Sequence, residues 1–190
     1  MGRYPGAREN VKALIASAIR VRHPETFEIG EDSIVDDFSY FSTKVRVGRC
    51  SHIASGCTIA GGGDRQFVLG DFSSVSAGVR IWCASDDFVR DIVTVIPTGV
   101  PDPKQHQIAG DVIFGDYTAV GANSVVMPGN EIPEGTVIGA LSFVPARFAF
   151  DEWSVYAGIP IRLVGRRDRD AVLAQARRLR SALDHTRAAR

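Results

Sequence analysis

Only four histidines stand among the 190 residues, so few side chains can take and return a proton near neutral pH. Two of them, His23 and His185, lie towards the ends of the chain. The others are His52, in Ser51-His52-Ile53-Ala54, and His106, in Lys104-Gln105-His106. A carboxylate pair, Asp86-Asp87, follows the run Ile81-Trp82-Cys83-Ala84-Ser85. An ordinary carboxylate, ionising near pH ~4, is a weak base for an alcohol proton. Burial or a like-charged neighbour makes it a stronger one. Each group also has a non-chemical reading: His52 as a surface imidazole bonded to a neighbour, Asp86-Asp87 as the cap of a turn, His106 as an exposed loop residue. Cys50, Cys57 and Cys83 are odd in number and lack C-x-x-C spacing, which argues against both a metal site and a disulfide framework. They read as reduced, small buried or corner residues of a cytoplasmic protein.

What positions these groups is a six-residue beat. Ile29, Val35, Phe41, Val47, Ile53 and Ile59 fall at every sixth place, and the phase resumes at Leu69, Val75 and Ile81. It resumes again at Phe114, Val120, Val126, Ile132, Ile138 and Val144. The residue after the beat is commonly small, as at Gly30, Gly48, Gly70, Gly115, Gly121 and Gly139, where glycine would also tolerate a positive φ. Small residues recur at the fifth place too: Ser33, Ser39, Ser51, Cys57, Ser73, Thr118, Ser124, Thr136 and Ser142. Period six fits neither a helix nor an alternating strand. It predicts a parallel β-helix, three short strands to a triangular coil, about five coils in all, with the apolar residue pointing inward. His52, one place before an inward isoleucine, then belongs to a corner or outer face.

Three segments depart from the beat. Over residues 7 to 22, Val11, Leu14, Ile15, Ala18 and Ile19 fall at helical spacing, which predicts a short amphipathic helix capping the N-terminal end. Gly61 to Gln66 breaks the phase by four residues and predicts a small loop or bulge. A long inserted loop spans residues 87 to 113, a length that usually marks function or disorder. The chain divides accordingly into a cap (1–28), a β-helix (29–150) and a closing segment with a basic helix (151–190). Arg162, Arg166 and Arg167 of that last segment could clasp a phosphate or simply belong to a solvated face.

The runs IGEDSIVDDFSYFSTKVRVGRCSHIASGCTIAG and FGDYTAVGANSVVMPGNEIPEGTVIGALSFV resemble the hexapeptide-repeat acyltransferases. Gly158-Ile159-Pro160 resembles the segment that closes the helix in their sugar acetyltransferase branch. The resemblance implies a left-handed parallel β-helix, an acyl-CoA co-substrate such as acetyl-CoA, a sugar or nucleotide-linked amino-sugar acceptor, a homotrimer and a role in surface polysaccharide synthesis. It places the acyl carrier along the later coils, against Gly121, Ala122, Gly139 and Ala140, with Trp153 and Tyr156 either stacking on adenine or closing the core. It puts His52 near the thioester carbonyl. It puts Asp86 where the galactoside and maltose enzymes carry a basic histidine, a departure that favours an amine acceptor or shifts the base to His52. His106 could complete a neighbouring subunit's site.

Net charge is zero, which favours neither nucleic acid nor a membrane surface. No apolar stretch approaches the ~18 residues of a membrane span, and MGRYPGAREN does not read as a secretory signal. Two alternatives remain beside the acyltransferase: a non-catalytic β-helix scaffold or ligand-binding protein, and a carbonic-anhydrase-like metalloenzyme, which needs three histidines on its metal.

Overall fold

A computed structural model describes residues 12–90 and 106–188, with side chains to residue 185. Its strands wind as a β-helix of about six turns with three faces. On the first face, Leu14–Ile15, Ile34–Val35, His52–Ile53, Ser74–Val75, Ala119–Val120, Val137–Ile138 and Ser154–Gly158 pair in that order. All of these pairings are parallel. The second face stacks Arg20–Val21, the start of Tyr40–Val47, the start of Thr58–Leu69, Arg80–Trp82, Val125–Val126 and Phe143–Val144. The third stacks Phe27–Ile29, the ends of the two long strands, Val112–Phe114 and Glu131–Ile132.

The beat reads out as burial. Of its fifteen positions, Val35 to Val144 are at most 3% exposed, and Ile29 packs half-buried against them. Each fully buried aliphatic or aromatic side chain contributes roughly 1.5–3 kcal/mol. Beneath the beat runs a second device. Ser33 Oγ accepts from Ser51 N at 2.9 Å and donates to the Gly48 carbonyl at 2.7 Å. Ser51 Oγ repeats this with Ser73 N and Gly70 O, and Ser73 Oγ with Thr118 N and Gly115 O. The fifth place of the hexad thus holds a hydroxyl that satisfies corner backbone groups no strand can reach.

Three expectations are corrected. Residues 12 to 22 form no helix: Leu14–Ile15 and Arg20–Val21 are strands paired to the next coil. Residues 7 to 11 of that expected helix lie outside the described residues. Ile15 and Val21 are themselves six apart, and they start the β-helix one coil earlier than the cap boundary at residue 28 implies. A short 3-10 turn at Pro24–Thr26 inserts two residues and hides the phase.

The glycines after the beat are also needed for a different reason. Gly30, Gly48, Gly70, Gly115 and Gly121 are absent from the positive-φ set. A Cβ on any of them would come within 2.9 Å of backbone in the next coil. The left-handed corners fall instead on residues such as Asp32, Cys50, Phe72 and Tyr117.

The break at Gly61 to Gln66 is a bulge, as expected: Phe41 faces Ile59, but Lys44 faces Gln66, so four extra residues have entered. After Gly158-Ile159-Pro160 the chain turns back, and Ile161–Arg166 pairs antiparallel with Ser154–Gly158, ending the first face. The basic helix follows at Arg169–Ala188.

Candidate active site

The inserted loop leaves the coil on a short stalk. Ala84–Asp86 pairs antiparallel with Gln107–Ala109, Asp86 opposite Gln107, at the corner between the second and third faces. Asp87 N donates to the His106 carbonyl at 3.1 Å. The fold therefore gathers three of the residues singled out in the sequence, Asp86, Asp87 and His106, at the loop's root. Residues 91 to 105 lie outside the described residues. The Asp87 carboxylate is occupied locally: Oδ1 accepts from Val89 N at 3.1 Å and Oδ2 sits 3.6 Å from Arg90 Nε. The capping reading thus holds for Asp87, and Asp86 beside it on the stalk is half-buried.

His52 stands elsewhere, on the outward side of the first face between Ile34 and Ser74. Its Nε2 lies 2.8 Å from Asp36 Oδ2, and both side chains are about two-fifths exposed, at 41% and 43%. Asp36 was not legible as a site residue in the sequence. The signal was the coil register: with Ile34 under His52, Asp36 sits one coil below and two residues along. Within one chain His52 and Asp86 occupy different faces.

Gly121, Ala122, Gly139 and Ala140 line the edge between the first and second faces. Coil stacking alone explains the first of them, since a Cβ on Gly121 would lie 2.3 Å from Ala140 N. Ser124 Oγ holds the Gly139 carbonyl at 2.9 Å and Leu141 N holds that of Ala122 at 2.9 Å. The edge is smooth, and its backbone is largely engaged by the coils themselves.

Of the C-terminal residues expected at the cofactor, Tyr156 and Arg167 need correction. Tyr156 is 4% exposed and points into the core, its ring edge-on to Phe148 and Phe150 and its hydroxyl accepting from Asp151 N. No ring face is left for adenine. Trp153, 7% exposed, stacks on Tyr117, which stacks on Phe72. Arg167 is spent on the carbonyls of Tyr117 and Gly135, and its burial pulls the guanidinium pKa down. Arg166 binds Ser154 Oγ at 2.8 Å and Asp151 at 3.0 Å. Arg162 is exposed on the last strand. Arg180 reaches back from the helix over Phe72 and donates to the Tyr117 hydroxyl at 2.7 Å. Arg167 and Arg180 tie the closing segment and helix to an aromatic column.

Among the described residues no three His, Cys, Asp or Glu side chains gather as a metal site. No described helix is long and apolar enough to cross a membrane.

A parallel β-helix of about six three-sided turns is the fold of the hexapeptide-repeat acyltransferases. The chain belongs to that family, in its sugar acyltransferase branch, and is an acyltransferase. It is 30% identical to AntD, an N-acyltransferase from Bacillus cereus crystallised with dTDP and 3-hydroxybutyryl-CoA. The TM-score is 0.73, over 93% of this chain and 90% of that one. It is 27% identical over 169 residues to dTDP-4-amino-4,6-dideoxy-D-glucose acyltransferase of Escherichia coli, covering 87% of this chain and 84% of the relative. A maltose O-acetyltransferase from Clostridium difficile, 18% identical with a TM-score of 0.55 over 82% of this chain and 67% of that one, shares the fold. No family model matches the chain.

Proposed function

We propose that this chain transfers a short acyl group from acyl-CoA to the amine of a nucleotide-linked amino sugar, with Asp86 accepting the amine's proton. The neutral amine attacks the thioester carbonyl, a C–N bond forms, and the C–S bond breaks to release the CoA thiol. After attack the nitrogen carries a positive charge and sheds its proton readily, so a carboxylate suffices where a hydroxyl acceptor would need a stronger base. The observation that carries this reading is the placing of Asp86, half-buried at the root of the stalk.

A spacing supports it. AntD was crystallised with substitutions at one aspartate and at one serine ten positions before it. Ser76 and Asp86 are the one Ser…Asp pair in this chain with that spacing. Both lie on the same coil, Ser76 just after the inward Val75.

The homotrimer is part of the same proposal. The outward positions of the first face, Leu14, Ile34, Ala119, Val137 and Val155, make an apolar stripe interrupted by His52 and Ser74. A cytoplasmic setting fits three free cysteines, Cys50, Cys57 and Cys83.

The His52 and Asp36 pair favours a second reading, transfer to a hydroxyl with His52 as base. Thiol release from acetyl-CoA and 3-hydroxybutyryl-CoA, with dTDP-linked 4-amino sugars set against their 4-hydroxy counterparts, separates the two. Release with the amino sugars alone supports the first reading. Release with the hydroxy sugars that is lost in His52→Ala supports the second.

A further inference from the structure

The edge between the first and second faces turns through five stacked left-handed residues: Phe38, Gly56, Gly78, Asn123 and Leu141. Gly56 opens a notch in this column. A Cβ on Gly56 would meet nothing within 4 Å, while the Asn123 amide already occupies the space over Gly78. Phe38 and Leu141 are 77% and 65% exposed, one below the notch and one above it.

A guanidinium binds the backbone of both glycine corners. Arg80 folds back from the second face, and its Nη1 alone donates to the carbonyls of Gly56 at 2.7 Å and Gly78 at 2.8 Å. Its Nε and Nη2 have no hydrogen-bond partner among the described residues, and no carboxylate lies within ion-pair distance of it there. Asp36, a carboxylate on the same edge, is already engaged by His52, and Asp37 accepts from Ala18 N. The nearby Cys57 thiol is held neutral, its pKa raised by burial. A half-buried, uncompensated guanidinium is costly. Here it is also pre-oriented, with one nitrogen clamped and two N–H directions left, which suits an oxyanion.

We infer that the notch at Gly56 with Arg80 is a phosphoryl subsite, taking one phosphate of a substrate. The inference rests on the reading above, since both proposed substrates carry phosphate: the nucleoside diphosphate of the acceptor and the pyrophosphate of CoA. Clamping corner carbonyls could by itself account for Nη1, but it leaves the remaining charge and the open notch unexplained.

The test is calorimetric titration of dTDP and, separately, of CoA into wild type, Arg80→Gln and Gly56→Asn, with melting temperatures measured in parallel. Arg80→Gln removes the charge yet keeps an amide donor for the clamp. Gly56→Asn fills the notch without touching Arg80, using a residue that tolerates the left-handed corner. Both variants should weaken the same one of the two ligands by about tenfold or more, the worth of a lost charge-assisted contact, and leave the other within about twofold. The inference is overturned if Gly56→Asn binds both ligands like wild type, if Arg80→Gln does, or if both ligands weaken together. Wild type that binds neither ligand would instead defeat the substrate reading itself.

Discussion

The Trp153 indole lies flat over the backbone of Gly135, where a Cβ would fall 2.3 Å from its ring. Gly135, at φ +71°, is the gap in the column that lets Tyr117 and Trp153 stack across an intervening coil, with centroids 6.2 Å apart. Arg167 then binds the carbonyls of Tyr117 and Gly135, and Ala176 of the helix is buried against the same cluster. Gly135→Ala therefore both strains the corner and expels the indole. We expect a loss on the order of 3 kcal/mol, read as a lower denaturant midpoint with the helix undocked. A midpoint equal to wild type would mean that the column does not hold the last coils.

The hydroxyl ladder makes a separate prediction. Ser73 Oγ serves Gly115 O, Thr118 N and Thr118 Oγ1 at 3.0 to 3.1 Å, all in a buried corner. Ser73→Ala removes almost no volume but leaves the Thr118 N–H without its partner, at a cost of about 1–3 kcal/mol, while Thr118 Oγ1 still donates to Gly115 O at 3.0 Å. Equilibrium urea unfolding measures it. Ser76→Ala, on the open edge, should cost clearly less.

Burial pushes the Cys83 thiol up to about 12 and raises that of Cys57. In the folded protein both should resist thiol reagents at pH 8, and Cys50, half-exposed at a corner, should react first. Mass spectrometry after limited alkylation identifies the site. The sign of the pH effect follows from the raised value. The folded state binds the Cys83 proton more tightly than the unfolded chain, so this contribution to stability is intact below pH 9 and falls away between about pH 9 and 12.

The fold was legible because each coil repeats the same demand: inward aliphatic, buried hydroxyl, glycine where backbones approach. The N-terminal coil was missed because Leu14, Ile15, Ala18 and Ile19 satisfy a helical spacing as well, and two residues inserted near Pro24 hide the six-residue step from Ile15 to Val21. Tyr156 was in phase all along, one coil beyond Ile138, so its burial could have been read from the beat. Arg166 and Arg167 could not, because their partners Asp151, Tyr117 and Gly135 are set by how the closing hairpin and helix fold back. The stalk shows the same limit. Sequence places Asp86 just before a long loop and His106 late within it, but only the antiparallel pairing of Asp86 with Gln107 brings them to one root.

The most direct measurement is the steady-state rate of Asp86→Asn with acetyl-CoA and a dTDP-linked 4-amino sugar, alongside calorimetric affinities for CoA and dTDP. The account predicts kcat reduced by roughly 10²–10⁴-fold, with both affinities and the melting temperature unchanged. A variant that turns over within a few-fold of wild type, on amino sugars that the wild type acylates, would show that Asp86 does not accept the amine's proton.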